Sequence, residues 1–183
     1  MKSIIRNSIM CFGIMTVLCG VLYTVAVTSV SGLLFPKQAG GSIITVTNEE
    51  GETIHYGSAL IGQEFTKPGY LIGRPMKTTN LSPVSKEQKE LVEKRIQWWH
   101  TFDTENLQEI PIELVTASGS GVDPNISSAG ALYQVARIAK VRGISEAQVK
   151  EIIEENTTRS FLGLFGEPAV NVLKVNMDLD GLE

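Results

Sequence analysis

The chain reads as a mixed α/β extracytoplasmic domain anchored by a single N-terminal transmembrane helix. Residues 8–35 carry no charged side chain and are rich in Ile, Leu, Val, Phe, Met and Ala. Beyond them, segments of strand-like and helix-like apolar period are interleaved, and Ser-x-x-Gln capping signals precede two of the helical ones. The expected organisation is a cytoplasmic N-terminus (residues 1–7), a transmembrane helix (8–35) and one exported domain (36–183).

A hydrocarbon core is crossed by about 20 apolar residues in a helix, and the uncharged run exceeds that. Its strong apolar residues, from Ile9 to Phe35, favour the bilayer by about 0.3–0.6 kcal/mol each and by about 5 kcal/mol together. Lys2 and Arg6 precede the run and only Lys37 closely follows it, so the positive-inside bias directs the N-terminus to the cytoplasm. A cleaved signal peptide is the competing reading. Its apolar region is normally about 7–15 residues, and Ser29-Val30-Ser31 imitates a cleavage site poorly, so retention as an anchor is favoured. Both readings export the same domain. The span holds no ionisable side chain to line an ion path; Gly13, Thr16, Gly20 and Thr24 suit it to pack against a neighbouring helix.

Cys11 and Cys19 both lie in the run, leaving the exported part without cysteine. At 1.5 Å per residue they stand about 12 Å apart along a helix, beyond disulfide reach. Roughly 150 exported residues can build a core without such a staple. The formal charge is −4, and without Lys2 and Arg6 it becomes −6. That excludes the basic footprint of a nucleic-acid binder.

Along the exported part, residues 43–47 alternate, Asn48-Glu49-Glu50-Gly51 signals a turn, and 53–56 resumes a strand pattern, together a hairpin. Leu60-Ile61-Gly62-Gln63 and Tyr70-Leu71-Ile72 read as strand ends or ordered loop, and 75–83 as a mobile connection. Ser85 and Gln88 form a capping box, with Leu91, Val92, Arg95, Ile96 and Trp99 extending a helix to about Phe102. Residues 110–116 read as a short strand. Ser127 opens a second helix whose stripe is Leu132, Val135, Ala136, Ile138 and Ala139, stopped by Gly143. Ser145 and Gln148 cap a third helix to about Glu155. Residues 169–175 alternate as a last strand, and Asp178 and Asp180 belong to a solvated tail.

Chemistry is sparse. The stretch from Thr116 to Pro124, Thr-Ala-Ser-Gly-Ser-Gly-Val-Asp-Pro, joins a strand to a helix and resembles an anion-cradling loop. It lacks the Gly-Lys-Ser/Thr ending of a phosphate loop, carries Asp123, and places neither Ser118 nor Ser120 in a Gly-x-Ser-x-Gly elbow. A structural turn is favoured. His55 and His100 are the only histidines and make no zinc pattern; His55 reads as a surface strand residue and His100 as part of a packed helix end. Of Trp98 and Trp99, one is expected in the core, and a partner contact is the other use of such a pair.

Taken together, ordered blocks resemble the C subunit of Kdp-type potassium-transporting ATPases. They are Gly41-Ser42-Ile43-Ile44; 57–65, with Gly62 and Gln63; Tyr70 with Gly73-Arg74-Pro75; 114–127, with Thr116, Ser118, Gly119, Ser120, Gly121, Asp123 and Pro124; 133–140; and 166–173, with Asn171. The resemblance spans nearly the whole chain. One departure stands out: the family's Ser-Gly-Gly-Ser-Asn-Leu segment after Arg-Pro is replaced here by Thr78-Thr79-Asn80-Leu81-Ser82-Pro83.

The resemblance implies a non-catalytic accessory subunit in a potassium-uptake complex at the cell membrane. Its partners would be a potassium-channel-like subunit and a P-type ATP-hydrolysing subunit, with membrane lipid around the span and no nucleic acid. The family role is that of a catalytic chaperone raising ATP affinity in the hydrolysing subunit, and Gln134 is the family-based nucleotide-binding candidate. No cofactor is expected on this chain alone, and ATP only through the complex; no Asp-Lys-Thr-Gly-Thr phosphorylation motif is present. The residue reading alone also leaves open an anchored small-molecule-binding domain, or a hydrolase using Ser118 or Ser120. The charge bias puts Gln134 outside, away from cytoplasmic ATP, and the helical pattern gives it a helix-surface hydrogen bond. An outer clamp guarding potassium entry follows from that placement.

Overall fold

The computed structural model describes residues 1–47, 52–160 and 166–182. It divides into two compact units, Met1–Ile43 and Ile44–Glu183.

In the first unit one helical run, Lys2–Leu34, is long and apolar enough to cross a membrane. It comprises α1 (Lys2–Met15), a π-helical stretch (Thr16–Leu22) and α2 (Tyr23–Leu34). No residue of it is buried by protein. The Thr16 hydroxyl donates to Phe12 O at 2.8 Å and Thr24 to Cys19 O at 3.4 Å, so both polar side chains are satisfied within the helix, as hydrocarbon surroundings demand. Phe35 ends α2, Pro36 opens the single turn α3 (Pro36–Ala39), and Gly41 at φ +81° redirects the chain.

The second unit follows the expected order with instructive departures. β1 (Ile43–Thr47) and β2 (Thr53–Ser58) pair as a two-stranded sheet; the turn expected at Asn48-Glu49-Glu50-Gly51 lies outside the described residues. α4 (Lys86–Phe102) starts at Ser85, whose hydroxyl accepts from Gln88 N. The Gln88 side chain faces Thr79 Oγ1 at 3.4 Å, so only half of the capping box is used for capping. α7 (Glu146–Glu155) has the complete box between Ser145 and Gln148.

Four expectations are corrected. Residues 110–116 hold a 3₁₀ turn (Ile112–Leu114) in place of a strand: Pro111 lacks an N–H for a ladder, and burying Leu114 and Val115 together breaks strand alternation. The second helix is divided into α5 (Ser128–Leu132) and α6 (Val135–Arg142). At the break Gln134 N reaches Ala131 O, three residues back, at 3.1 Å. Leu132 and Ala136 are exposed and leave the stripe, while Gly143 ends α6 at φ +69° as expected. The last strand, β5, is only Ala169–Asn171. Asn171 then accepts from Lys174 N at 3.1 Å and caps α8 (Val172–Leu179), a device that favours helix over continued strand. Nor is the C-terminal end a free tail: Asp178 accepts from Asn156 Nδ2 and Asp180 from the Tyr70 hydroxyl.

β5 is the centre of a three-stranded antiparallel sheet with β3 (Asn125–Ile126) and β4 (Thr157–Thr158). Ile126 and Thr157 both face Val170 in register. Two apolar clusters fill the unit. One joins Leu71, Ile126, Val135, Ile138, Val149, Val170 and Val175; the other joins Ile72, Trp99, Leu114, Val115 and Tyr133. The neighbours Leu71 and Ile72 divide between the clusters, as do Tyr133 and Val135 on either side of Gln134.

Candidate functional site

Between β2 and α4, residues 59–85 form no regular helix or strand. Irregular backbone at depth leaves N–H and C=O groups that need partners, and here side chains supply them. The Gln134 amide, 0% exposed, meets Ile72 on both sides: Ile72 N donates to Oε1 at 2.8 Å, and Nε2 donates to Ile72 O at 2.9 Å. Nε2 also donates to Gly130 O at 3.1 Å, and Oε1 accepts from Arg137 Nη2 at 2.7 Å. Two donors and two lone pairs are the whole capacity of a primary amide, and all four are engaged. The expected helix-surface placement of Gln134 is therefore corrected: it is a core residue.

Asn176 repeats the arrangement one residue earlier. Leu71 N donates to its Oδ1 at 2.7 Å, and its Nδ2 donates to Leu71 O at 2.9 Å. Each amide imitates a neighbouring strand. Arg137 adds bonds to Pro68 O and, at 3.1 Å, Tyr70 O, while Arg142 Nε donates to Gly69 O at 2.6 Å. Five successive carbonyls, from Pro68 to Ile72, are thus held by side chains from α6 and α8 and from Gln134 just before α6. Burial lowers the Arg137 pKa to about 10, with Asp103 opposing the shift; Arg137 Nε lies 3.9 Å from Asp103 Oδ2. Arg142 and the Tyr70 hydroxyl both engage Asp180, each at 2.8 Å. That hydrogen bond raises the Tyr70 pKa, with desolvation adding to it.

The other motif residues meet around the 116–124 loop. Arg74 Nη2 donates to Ala117 O at 3.2 Å and Thr116 O at 3.4 Å, and Nη1 lies 3.7 Å from Asp123. Gly62 N donates to Val122 O at 2.7 Å, so close that a Cβ on Gly62 would stand 2.5 Å from Asp123 O. Lys77 N donates to Gly121 O at 2.9 Å, and Gly121 adopts φ +69° against the Thr78 backbone. The Gln63 side chain fills the space where a Gly57 Cβ would project. Pro124 O accepts from Val172 N at 3.0 Å, and Asn171 Nδ2 donates to Ala59 O at 2.9 Å. Pro75 lines a cavity together with Arg95 and Trp98.

Ser118 and Ser120 have their Oγ atoms 3.3 Å apart and accept from Gly121 N and Val122 N. These are turn hydrogen bonds, with exposed Gly119 between them. His55 and His100 are both exposed, so His100 is not a packed residue as expected. Trp99 is buried and Trp98 is 42% exposed. Among the described residues no group of three or more His, Cys, Asp or Glu could hold a metal ion.

A cavity of about 560 Å³ is lined by Phe102, Asp103, Asn106, Arg137, Lys140 and others. Its cations face acidic neighbours: Lys140 pairs with Glu105, and Arg137 faces Asp103. A polyphosphate would have to displace those carboxylates. Asn176, Arg137 and Arg142 were not singled out by sequence reasoning; polar residues inside apolar helical stripes were the available signal.

Comparison with known proteins adds a consistent finding. The family model described as KdpC, K+-transporting ATPase, c chain, matches residues 5–181. A protein of Listeria innocua serovar 6a named potassium-transporting ATPase KdpC subunit is 54% identical over 181 residues, covering 97% of this chain and 95% of its own. Proteins of the same name from Clostridium perfringens and Polaromonas naphthalenivorans are 45% and 42% identical, with coverage of 98% and 100% of this chain and 98% and 97% of theirs.

Proposed function

Because the chain belongs to the KdpC family of K+-transporting ATPase c chains, we propose that it is a non-catalytic accessory subunit of an ATP-driven potassium-uptake complex. Lys2–Leu34 anchors it in the cell membrane as a single pass, with residues 1–7 cytoplasmic and the domain from residue 36 extracytoplasmic. Its partners are a potassium-channel-like subunit and a P-type ATP-hydrolysing subunit, and it stabilises or regulates their assembly from the outer face.

The observation that carries this reading is the family match across residues 5–181. The geometry supports a scaffold: Arg74, Gly62, Gly121, Asn171 and Gln134 all engage the chain's own backbone. Gln134 is assigned to holding Ile72, since its four hydrogen bonds leave none for a nucleotide. Any effect on ATP affinity then passes through the hydrolysing subunit.

Protease treatment of sealed right-side-out vesicles tests the placement. Digestion of the domain by external protease is expected, and protection would reverse the topology. Purified chain is expected to show no ATPase activity and to co-purify with two larger membrane proteins. Turnover by the chain alone would overturn the accessory reading.

A further inference from the structure

A second cavity, about 220 Å³, lies between the Arg74-Pro75 segment and α4. Small-molecule sites usually exceed about 300 Å³, so this one suits a side chain better than a nucleotide. Its walls include Phe65, Trp98 and Trp99, together with Glu64, Arg74 and Arg95. Trp98 stacks on Phe102 with ring centroids 4.4 Å apart and sits edge-on to Trp99 at 5.0 Å, so the exposed ring is already held in place. Arg95 Nη1 donates to Val115 O at 2.9 Å, which fixes the guanidinium.

The charges on this wall differ in how they are engaged. Asp123 is engaged by Arg74, whereas Arg95 has no carboxylate partner among the described residues, and desolvation alone lowers its pKa. Glu64 is exposed and makes no ion pair among the described residues. With Arg74 and Asp123 engaged with each other, Arg95 is the guanidinium on this wall left without a carboxylate, and it is held in place by Val115 O. A fixed guanidinium matches a carboxylate in plane and hydrogen-bond geometry, and Trp with Arg is the composition in which interface hot spots are richest.

We propose that this cavity is a docking socket for an acidic side chain of a partner polypeptide, whose carboxylate meets Arg95 beside Arg74 while an adjoining apolar residue lies on Trp98. The inference rests on the accessory-subunit reading and deepens it by naming the chemistry of the contact.

The test uses full-length chain purified with its partner subunits. The Arg95→Lys variant keeps the charge and supplies an amine, so a carbodiimide is expected to link position 95 to an Asp or Glu of a larger subunit, a link the unchanged chain cannot make there. In parallel, Trp98→Ala and Arg95→Glu are expected to lower recovery with the partners about tenfold or more; an unchanged far-ultraviolet circular dichroism spectrum checks the fold. An intact complex in which position 95 links only to Glu64, only to lipid or to nothing overturns the socket and leaves the accessory reading standing. Undiminished recovery of both other variants overturns it too. Failure of the accessory reading is separate: the unchanged chain would then be recovered without larger subunits.

Discussion

The N-terminal helix and the irregular segment around residues 68–72 solve opposite problems. Lys2–Leu34 is one unbroken helical run, whose backbone pairs locally along itself, while none of its apolar side chains is buried by protein. Leu71 and Ile72 are the reverse. Their side chains sit in two apolar clusters, yet their backbone bonds go to Asn176 and Gln134, more than sixty residues away in sequence. The helix needs an environment; the segment needs remote amides. A local code suffices for the first because hydropathy and length decide it. The second exists only when the rest of the fold has assembled.

That contrast can be broken most strongly at Gln134. Gln134→Ala strands the Ile72 N–H and C=O in the core at about 1–3 kcal/mol each, so the full chain in detergent is expected to lose roughly 3–5 kcal/mol in denaturant unfolding followed by Trp99 fluorescence. A loss under 1 kcal/mol would mean that the segment does not depend on its clasp. For the helix, Leu18→Arg is expected to cost about 3 kcal/mol of insertion and to reduce the membrane fraction, while the unfolding midpoint of the second unit stays put. A shift in that midpoint would tie the two regions together.

Smaller effects sharpen the picture. Gly62→Ala drives a Cβ to 2.5 Å from Asp123 O, an overpacked contact expected to cost about 1–3 kcal/mol in the same unfolding experiment. Ser145→Ala removes a complete capping box and is expected to cost about 1 kcal/mol, a local loss with no remote partner. Smallest is a pH effect at Tyr70. Its pKa is raised when folded because the hydroxyl donates to Asp180. Stabilisation by this bond is present below the ordinary tyrosine value of about 10 and is lost as pH rises through the folded value. Tyr70→Phe is expected to flatten that alkaline decline in thermal unfolding.

Much of the framework was legible because its signals are short-ranged. Ser85, Ser127 and Ser145 each cap a helix within a residue of where spacing places it, and Gly143 ends α6 in the left-handed conformation its position implies. The misreadings fall where a local pattern is ambiguous. Residues 169–175 satisfy both alternation and a helical stripe, and the Asn171 side chain decides between them. Residues 110–116 look apolar enough for a strand until Pro111 removes a donor and Leu114 and Val115 turn inward together. At the candidate site the motif blocks were visible, but their purpose was not. Gln134 reads as a helix-surface residue until α5 and α6 separate and place it between two cores.

From its sequence alone, this protein's apolar N-terminal run, its capped helices and its family were determined, because each depends on neighbours along the chain or on the order of blocks within it. Only the tertiary structure decided that Gln134 and Asn176 are buried clasps, that Asp180 is tied to Tyr70 and Arg142, and that Arg95 and Trp98 border one cavity. A primary amide or guanidinium has the same composition wherever it stands. What it does depends on which distant backbone groups are left without partners, and that is settled when the fold closes.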